Sequence, residues 1–192
     1  VYAGDDRTDL DFISPDRPPR RVFVRDLEIV ASVGVFEVEH RYEQRIVINL
    51  DLRDFFPSIT FPRVRGLFES IGYSPCVATL LALLVTEAPR MRVELESKQL
   101  WVAAGDRALP QGACTSPLIS NLVARKLDRR LAGLAAKLGF AYTRYADDLT
   151  FSSDKTDQLG YLLARVRHIV TAEGFAINED KGRILRKGGR QE

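Results

Sequence analysis

Two adjacent carboxylates, Asp147 and Asp148, stand in "AYTRYADDLTFSS" (141–153) between two apolar runs. A third, Asp51, ends the apolar run "IVINLDL" (46–52). Taken singly, each has an ordinary explanation. Asp-Asp pairs are frequent in turns, where their side chains bond to nearby backbone, and aspartates often end strands. Brought together, three carboxylates repel one another, and a divalent cation relieves that repulsion. Mg²⁺ prefers a few carboxylates plus substrate phosphates to an all-protein cage. A pair of such ions clamps the attacking and leaving oxygens of an in-line phosphoryl displacement. That chemistry asks the protein mainly for positioning and charge stabilisation.

Such a group must be assembled by strands that are distant in sequence. In "IVINLDL", Ile46, Ile48 and Leu50 alternate with Val47, Asn49 and Asp51, which predicts a strand with two unlike faces. "TRYADDLTF" reads as a tight hairpin with the Asp pair at its turn. "FPRVRGLFESIG" and "SPCVATLLALLVTEA" read as helices, the second with Ser74 as N-cap and Pro75 at its first position. Residues 92–104 carry the alternation of a strand or hairpin, and "LPQGACTSP" is a Gly/Pro-punctuated loop. Residues 118–139 form an amphipathic helix with Leu118, Leu122, Leu127, Leu131, Leu134 and Leu138 as its apolar stripe and Gly139 as C-cap. A further helix over 156–174 and a strand-like "FAINEDKGRIL" complete the pattern. The order predicts an α+β architecture with helices packed on one face of a mostly antiparallel sheet. Asp51 then lies on a central strand and Asp147/Asp148 on the adjacent hairpin.

The 192 residues suffice for one domain with a sizeable core. Apolar residues make up 45% and charged residues 28%, a globular balance. The formal charge of +2 gives no strong basic field, though a local stripe can hide in a neutral total. Cys76, Cys114, His40 and His168 lack zinc-ligand spacing, and two cysteines make no disulfide framework. A reduced, cytoplasmic protein is expected. The apolar run at 76–85 is about half a membrane span, and the N-terminus lacks the basic and apolar regions of a signal peptide, so no membrane partner is expected. The polar residues 1–20, with "SPDRPPRR", read as a flexible lead-in. Arg125, Lys126, Arg129 and Arg130 read as a solvated helix face.

Four stretches, "INLDLRDFFPSI", "LPQGACTSPLISNL", "RYADDLTFS" and "GFAINEDK", occur in the order seen in reverse transcriptases. Their wording resembles the bacterial retron-type branch, over about 46–192. "YADD" alone is a weak match; four motifs in register are specific. The resemblance implies a polymerase-palm-like fold and an RNA-directed DNA polymerase. Its partners would be an RNA template, a DNA or RNA primer and dNTPs, and its cofactor two Mg²⁺ ions, with Mn²⁺ as a substitute. It implies that Asp51, Asp147 and Asp148 hold the metal. Lys181 matches a lysine assigned to the leaving pyrophosphate. Phe56 matches the bulky residue that rejects a 2′-hydroxyl, and Gln111 and Gly112 match the loop lining the dNTP pocket. Phe55 reads as core. Ser116 and Pro117 open the following helix. Asn178 falls in the last motif with a structural role.

The chain departs from that family at both ends, with fingers and thumb incomplete. Residues 21–52 resemble the start of dihydroneopterin aldolase, with Glu39 near a pterin-binding glutamate, although that family's later lysine-bearing half is not recognisable. The organisation read from sequence is therefore a lead-in (1–20), an aldolase-like β segment (21–45) and a palm-like domain (46–192) of a chimeric or truncated chain. Two other functions stay open: an aldolase-like lyase fragment, and a non-catalytic nucleic-acid-binding module. An isolated palm is expected to bind metal and polymerise poorly.

Overall fold

The computed structural model describes residues 45–95, 98–155 and 157–186. The expected lead-in, nearly all of the aldolase-like segment and Glu39 lie outside the described residues. Strand β1 (Ile46–Leu52) buries Ile46, Ile48, Leu50 and Leu52 and turns Val47, Asn49 and Asp51 the other way, as the alternation requires. It is central in a four-stranded antiparallel sheet of order β4-β5-β1-β6, with β4 at Ala141–Tyr145, β5 at Asp148–Ser153 and β6 at Ile177–Arg186.

Between β1 and β5 lie helices α1 (Phe55–Ser58), α2 (Phe61–Ile71), α3 (Pro75–Val85) and α4 (Ser116–Leu138), and between β5 and β6 lies α5 (Leu159–Ala172). The Ser74 side chain accepts from the Val77 amide at 3.4 Å, the expected N-cap of α3. Gly139 ends α4 at φ 75, where a residue without Cβ is favoured. The strand or hairpin expected near 92–104 is an antiparallel pair, β2 (Arg90–Leu95) on β3 (Lys98–Ala103), both strands exposed.

One core lies between the sheet and its helices. Leu127, Leu131, Leu162, Val166, Leu149 and Phe151 are essentially fully buried there, each contributing about 1.5–3 kcal/mol on leaving water. The leucine stripe expected on α4 is corrected in part. The helix begins at Ser116 rather than 118, and Leu118 is 49% exposed. The buried face runs instead through Ile119, Ala124, Leu127, Leu131 and Ala135. Small alanines let the helix axis approach the sheet, so the buried stripe follows geometry and not side-chain size. Likewise Phe175 joins the core just before β6 rather than opening the strand.

The register brings Asp51 directly opposite Asp148. Cross-strand partners share a face, so both carboxylates stand on the side of the sheet away from Ile48 and Phe151.

Candidate polymerase active site

Asp51, Asp147 and Asp148 meet at one end of the β1–β5 pair. Asp147 sits in the two-residue turn joining β4 to β5, and the Leu52 amide donates to its carbonyl at 2.9 Å. This bond fastens the turn to the end of β1. Ala146, the other turn residue, has φ 50, in the left-handed region that disfavours a side chain. Partial burial, then the charges of Asp147 and Asp51, raise the Asp148 carboxyl above its ordinary value, with Lys181 opposing. Asp148 thus feels the charge of the other two carboxylates.

The neighbouring strand partly neutralises this charge. Asn49 pairs with Arg183 and Asp51 with Asn178, so two steps along β1 match five along β6. The additional residues bulge from the ladder, and such irregularities re-aim side chains. Asn178 Nδ2 donates to Asp51 Oδ1 at 3.2 Å, and Lys181 Nζ lies 3.4 Å from Asp51 Oδ2. The Asp51 side chain is only 13% exposed, whereas that of Lys181 is 64% exposed. Asn178 is therefore a direct partner of the Asp51 carboxylate, a contact in keeping with its expected structural role. Sequence alone gave no sign of this, because contact depends on the register jump.

Among the described residues no group of three or more Asp, Glu, His or Cys side chains is arranged to hold a metal ion by itself. The donor set still suits Mg²⁺: all-oxygen, anionic and mutually repelling, with a raised Asp148. A site completed by substrate phosphates does not need a closed cage in the protein alone.

Phe56 lies on α1, half-buried, with its ring edge-on to Phe55 at 5.4 Å. Phe55 is 3% exposed and belongs to the core, as expected. Gln111 lines a cavity of about 670 Å³ together with Pro57, Trp101, Asp106 and Pro110. Gln111 thus shares a wall with the residue after Phe56. Gly112 has φ 88 and open space within 4 Å of where a Cβ would stand. Its backbone conformation, and not a close approach within the chain, accounts for glycine there. Two anchors hold this loop. Buried Ser116 donates its hydroxyl to the Pro110 carbonyl at 2.7 Å. Arg107 donates to the Leu83 carbonyl at 2.7 Å and to the Thr86 carbonyl, closing the C-terminal end of α3.

The basic run on α4 is not merely solvated. Arg130 and Lys126 reach Glu173 at 2.5 and 3.3 Å, and the Glu173 side chain is 10% exposed. They tie α4 to the end of α5. Sequence reasoning also missed an ion pair between the buried side chain of Arg144, one residue before "YADD", and the half-buried Asp128 of α4.

A palm-like sheet with a carboxylate group at the end of its central strands defines the class as a nucleic-acid polymerase fold. The family model described as reverse transcriptase (RNA-dependent DNA polymerase) matches residues 13–190. The chain belongs to the reverse transcriptase family. It is 53% identical over 156 residues to the reverse transcriptase of retron Mx162 from Myxococcus xanthus, covering 76% of this chain and 32% of that protein. With the reverse transcriptase of retron Ec86 from Escherichia coli it shares 36% identity over 135 residues, 70% of this chain and 37% of that one. The chain thus spans about a third of the length of these relatives, and the branch is the retron type. A solved structure of telomerase from Candida albicans, in complex with a fragment of telomeric RNA, covers 86% of the chain and 32% of its own. It aligns with a TM-score of 0.51 at 12% identity, a likeness of fold. The family match runs through residues 21–45, and nothing confirms the aldolase resemblance there.

Proposed function

We propose that this chain carries the catalytic palm of a retron-type reverse transcriptase. The reaction is template-directed attack of a primer 3′-hydroxyl on the α-phosphate of a dNTP, with release of pyrophosphate. The observation that carries the reading is the direct pairing of Asp51 with Asp148 beside the Asp147 turn, on strands nearly a hundred residues apart in sequence. Asp51, Asp147 and Asp148 are the residues to hold Mg²⁺, or Mn²⁺ in its place. The bound ions supply charge neutralisation and a template for the phosphates.

The chain's own residues do the rest. Asn178 and Lys181 hold Asp51 oriented and partly neutralised. Lys181, well exposed, has the freedom to turn to the leaving pyrophosphate. Phe56 offers the aromatic wall against a 2′-hydroxyl, and Gln111 with Gly112 shapes the nucleotide side. RNA template, primer and dNTPs are the partners. No helix among the described residues is long and apolar enough to cross a membrane. Cys76 and Cys114 are unpaired and exposed, which suits a reducing cytoplasm.

The test is primer extension on an RNA template with dNTPs and Mg²⁺, comparing the chain with Asp147→Asn. Extension that the substitution abolishes supports the reading. Nucleic-acid binding indifferent to both chelation and Asp147→Asn, with no extension, favours a non-catalytic binding module.

A further inference from the structure

The Arg144 side chain is 5% exposed, and the hydrogen bonds of its guanidinium go to the Asp147 turn and to α4. Nε and Nη2 each donate to one oxygen of Asp128, both at 2.7 Å, a two-pronged pair with α4. Asp128 Oδ1 also accepts from the Tyr142 hydroxyl at 2.8 Å. Nη1 donates to Asn121 Oδ1 at 3.1 Å and to the Ala146 carbonyl at 2.8 Å. That carbonyl belongs to the peptide leading into Asp147. The Arg144 Cζ also lies 5.6 Å from the centre of the Phe55 ring, which meets Phe56 edge-on.

Burying a charge to form an ion pair is a poor way to gain stability, since apolar residues of like volume often do as well. A fixed fork has another use: it defines a position. The Asp147 turn holds Ala146 in a disfavoured conformation, and such strain persists only where surroundings over-determine it. Two clamps do so here, Arg144 on the Ala146 carbonyl and the Leu52 amide on the Asp147 carbonyl.

We infer that Arg144, anchored by Asp128, is a positioning residue that sets the Asp147 turn against β1 and steadies Phe55 behind Phe56. The inference rests on the catalytic reading for its consequence at the metal, but not for its structural content. Lysine cannot reproduce the fork, so Arg144→Lys keeps the charge and loses the geometry.

The experiment compares wild type, Arg144→Lys, Asp128→Asn and, as a control, Glu173→Gln, which breaks another α4 ion pair away from the turn. Two quantities are measured: hydrogen exchange at the Leu52 amide against the rest of the β1–β5 ladder, and Mn²⁺ affinity by electron paramagnetic resonance. Arg144→Lys is expected to speed Leu52 exchange selectively and to weaken Mn²⁺ binding about tenfold, the usual effect of removing a partner behind a ligand. Glu173→Gln should speed the whole ladder together, if at all, and leave Mn²⁺ binding unchanged. Should Arg144→Lys not fold, Asp128→Asn gives the same readings with Arg144 in place. Equal changes in the Arg144 or Asp128 variant and the control overturn the inference. Absence of Mn²⁺ binding by the wild type sinks the catalytic reading instead, and Leu52 exchange then decides alone whether Arg144 positions the turn.

Discussion

Asp148→Asn should stabilise the fold while destroying the proposed activity. Asp148 faces Asp51 directly across the ladder, and like charges so placed cost about 0.2–1 kcal/mol. The Asp148 carboxyl is raised above its ordinary value of 3.8 by partial burial and then by Asp147 and Asp51. A carboxyl raised in the folded state binds more protons there than in the unfolded chain. Stability is therefore lost as pH rises through the window from 3.8 to the raised value, and the loss is complete at neutral pH. Asparagine removes it. For a domain of this size the gain corresponds to about 1–3 °C in Tm, reduced by salt because Asp148 is largely exposed. Thermal melts at pH 7 in low and high salt, and again at pH 3, give the answer. The variant should melt higher at pH 7, less so in high salt, and level with wild type at pH 3. A lower Tm at pH 7, or the same gap at pH 3, refutes the electrostatic reasoning. Mg²⁺ should raise the Tm of wild type more than that of the variant.

Glu173→Gln leaves Arg130 and Lys126 without their shared carboxylate. The two cations are 36% and 74% exposed and can turn to water, so the cost should be about 1–2 kcal/mol, below the 3–5 of a fully buried pair. Burial opposes ionisation of Glu173, but Arg130 and Lys126 outweigh it and hold the carboxyl below its usual 4.5. The ion pair's contribution is therefore complete above pH 4.5 and lost as pH falls through the depressed value; urea unfolding should show the deficit in full at pH 7 and a shrinking one as pH falls below that of the depressed carboxyl. Ala146→Gly relieves the φ 50 strain at the cost of a more flexible unfolded chain. Urea unfolding should show stability unchanged or raised by up to about 1 kcal/mol; a loss beyond that would mean the alanine is not strained.

The sequence carried the elements and the chemistry types. Strict alternation in "IVINLDL" determined both the strand and which way Asp51 turns, because period-two patterning is local and needs no partner. Ser74-Pro75 and Gly139 marked helix ends for equally local reasons, the needs of unpaired amides and of a left-handed residue. The ordered motifs carried the family, and with it the reading of Asp51, Asp147 and Asp148 as one group.

What the sequence could not determine was every contact that depends on distant backbone meeting in register. Asn178 stands opposite Asp51 only because β6 bulges against β1, where an unbroken ladder would have set Lys181. Leu118 gives way to Ala124 and Ala135 on the buried face of α4 because proximity to the sheet, and not hydrophobicity, selects what is covered. Arg144 and Asp128 look like two more surface charges until α4 and β4 are packed together. Periodicity and local bonding are written into neighbouring residues, whereas the partners of a buried charge are decided by packing between elements.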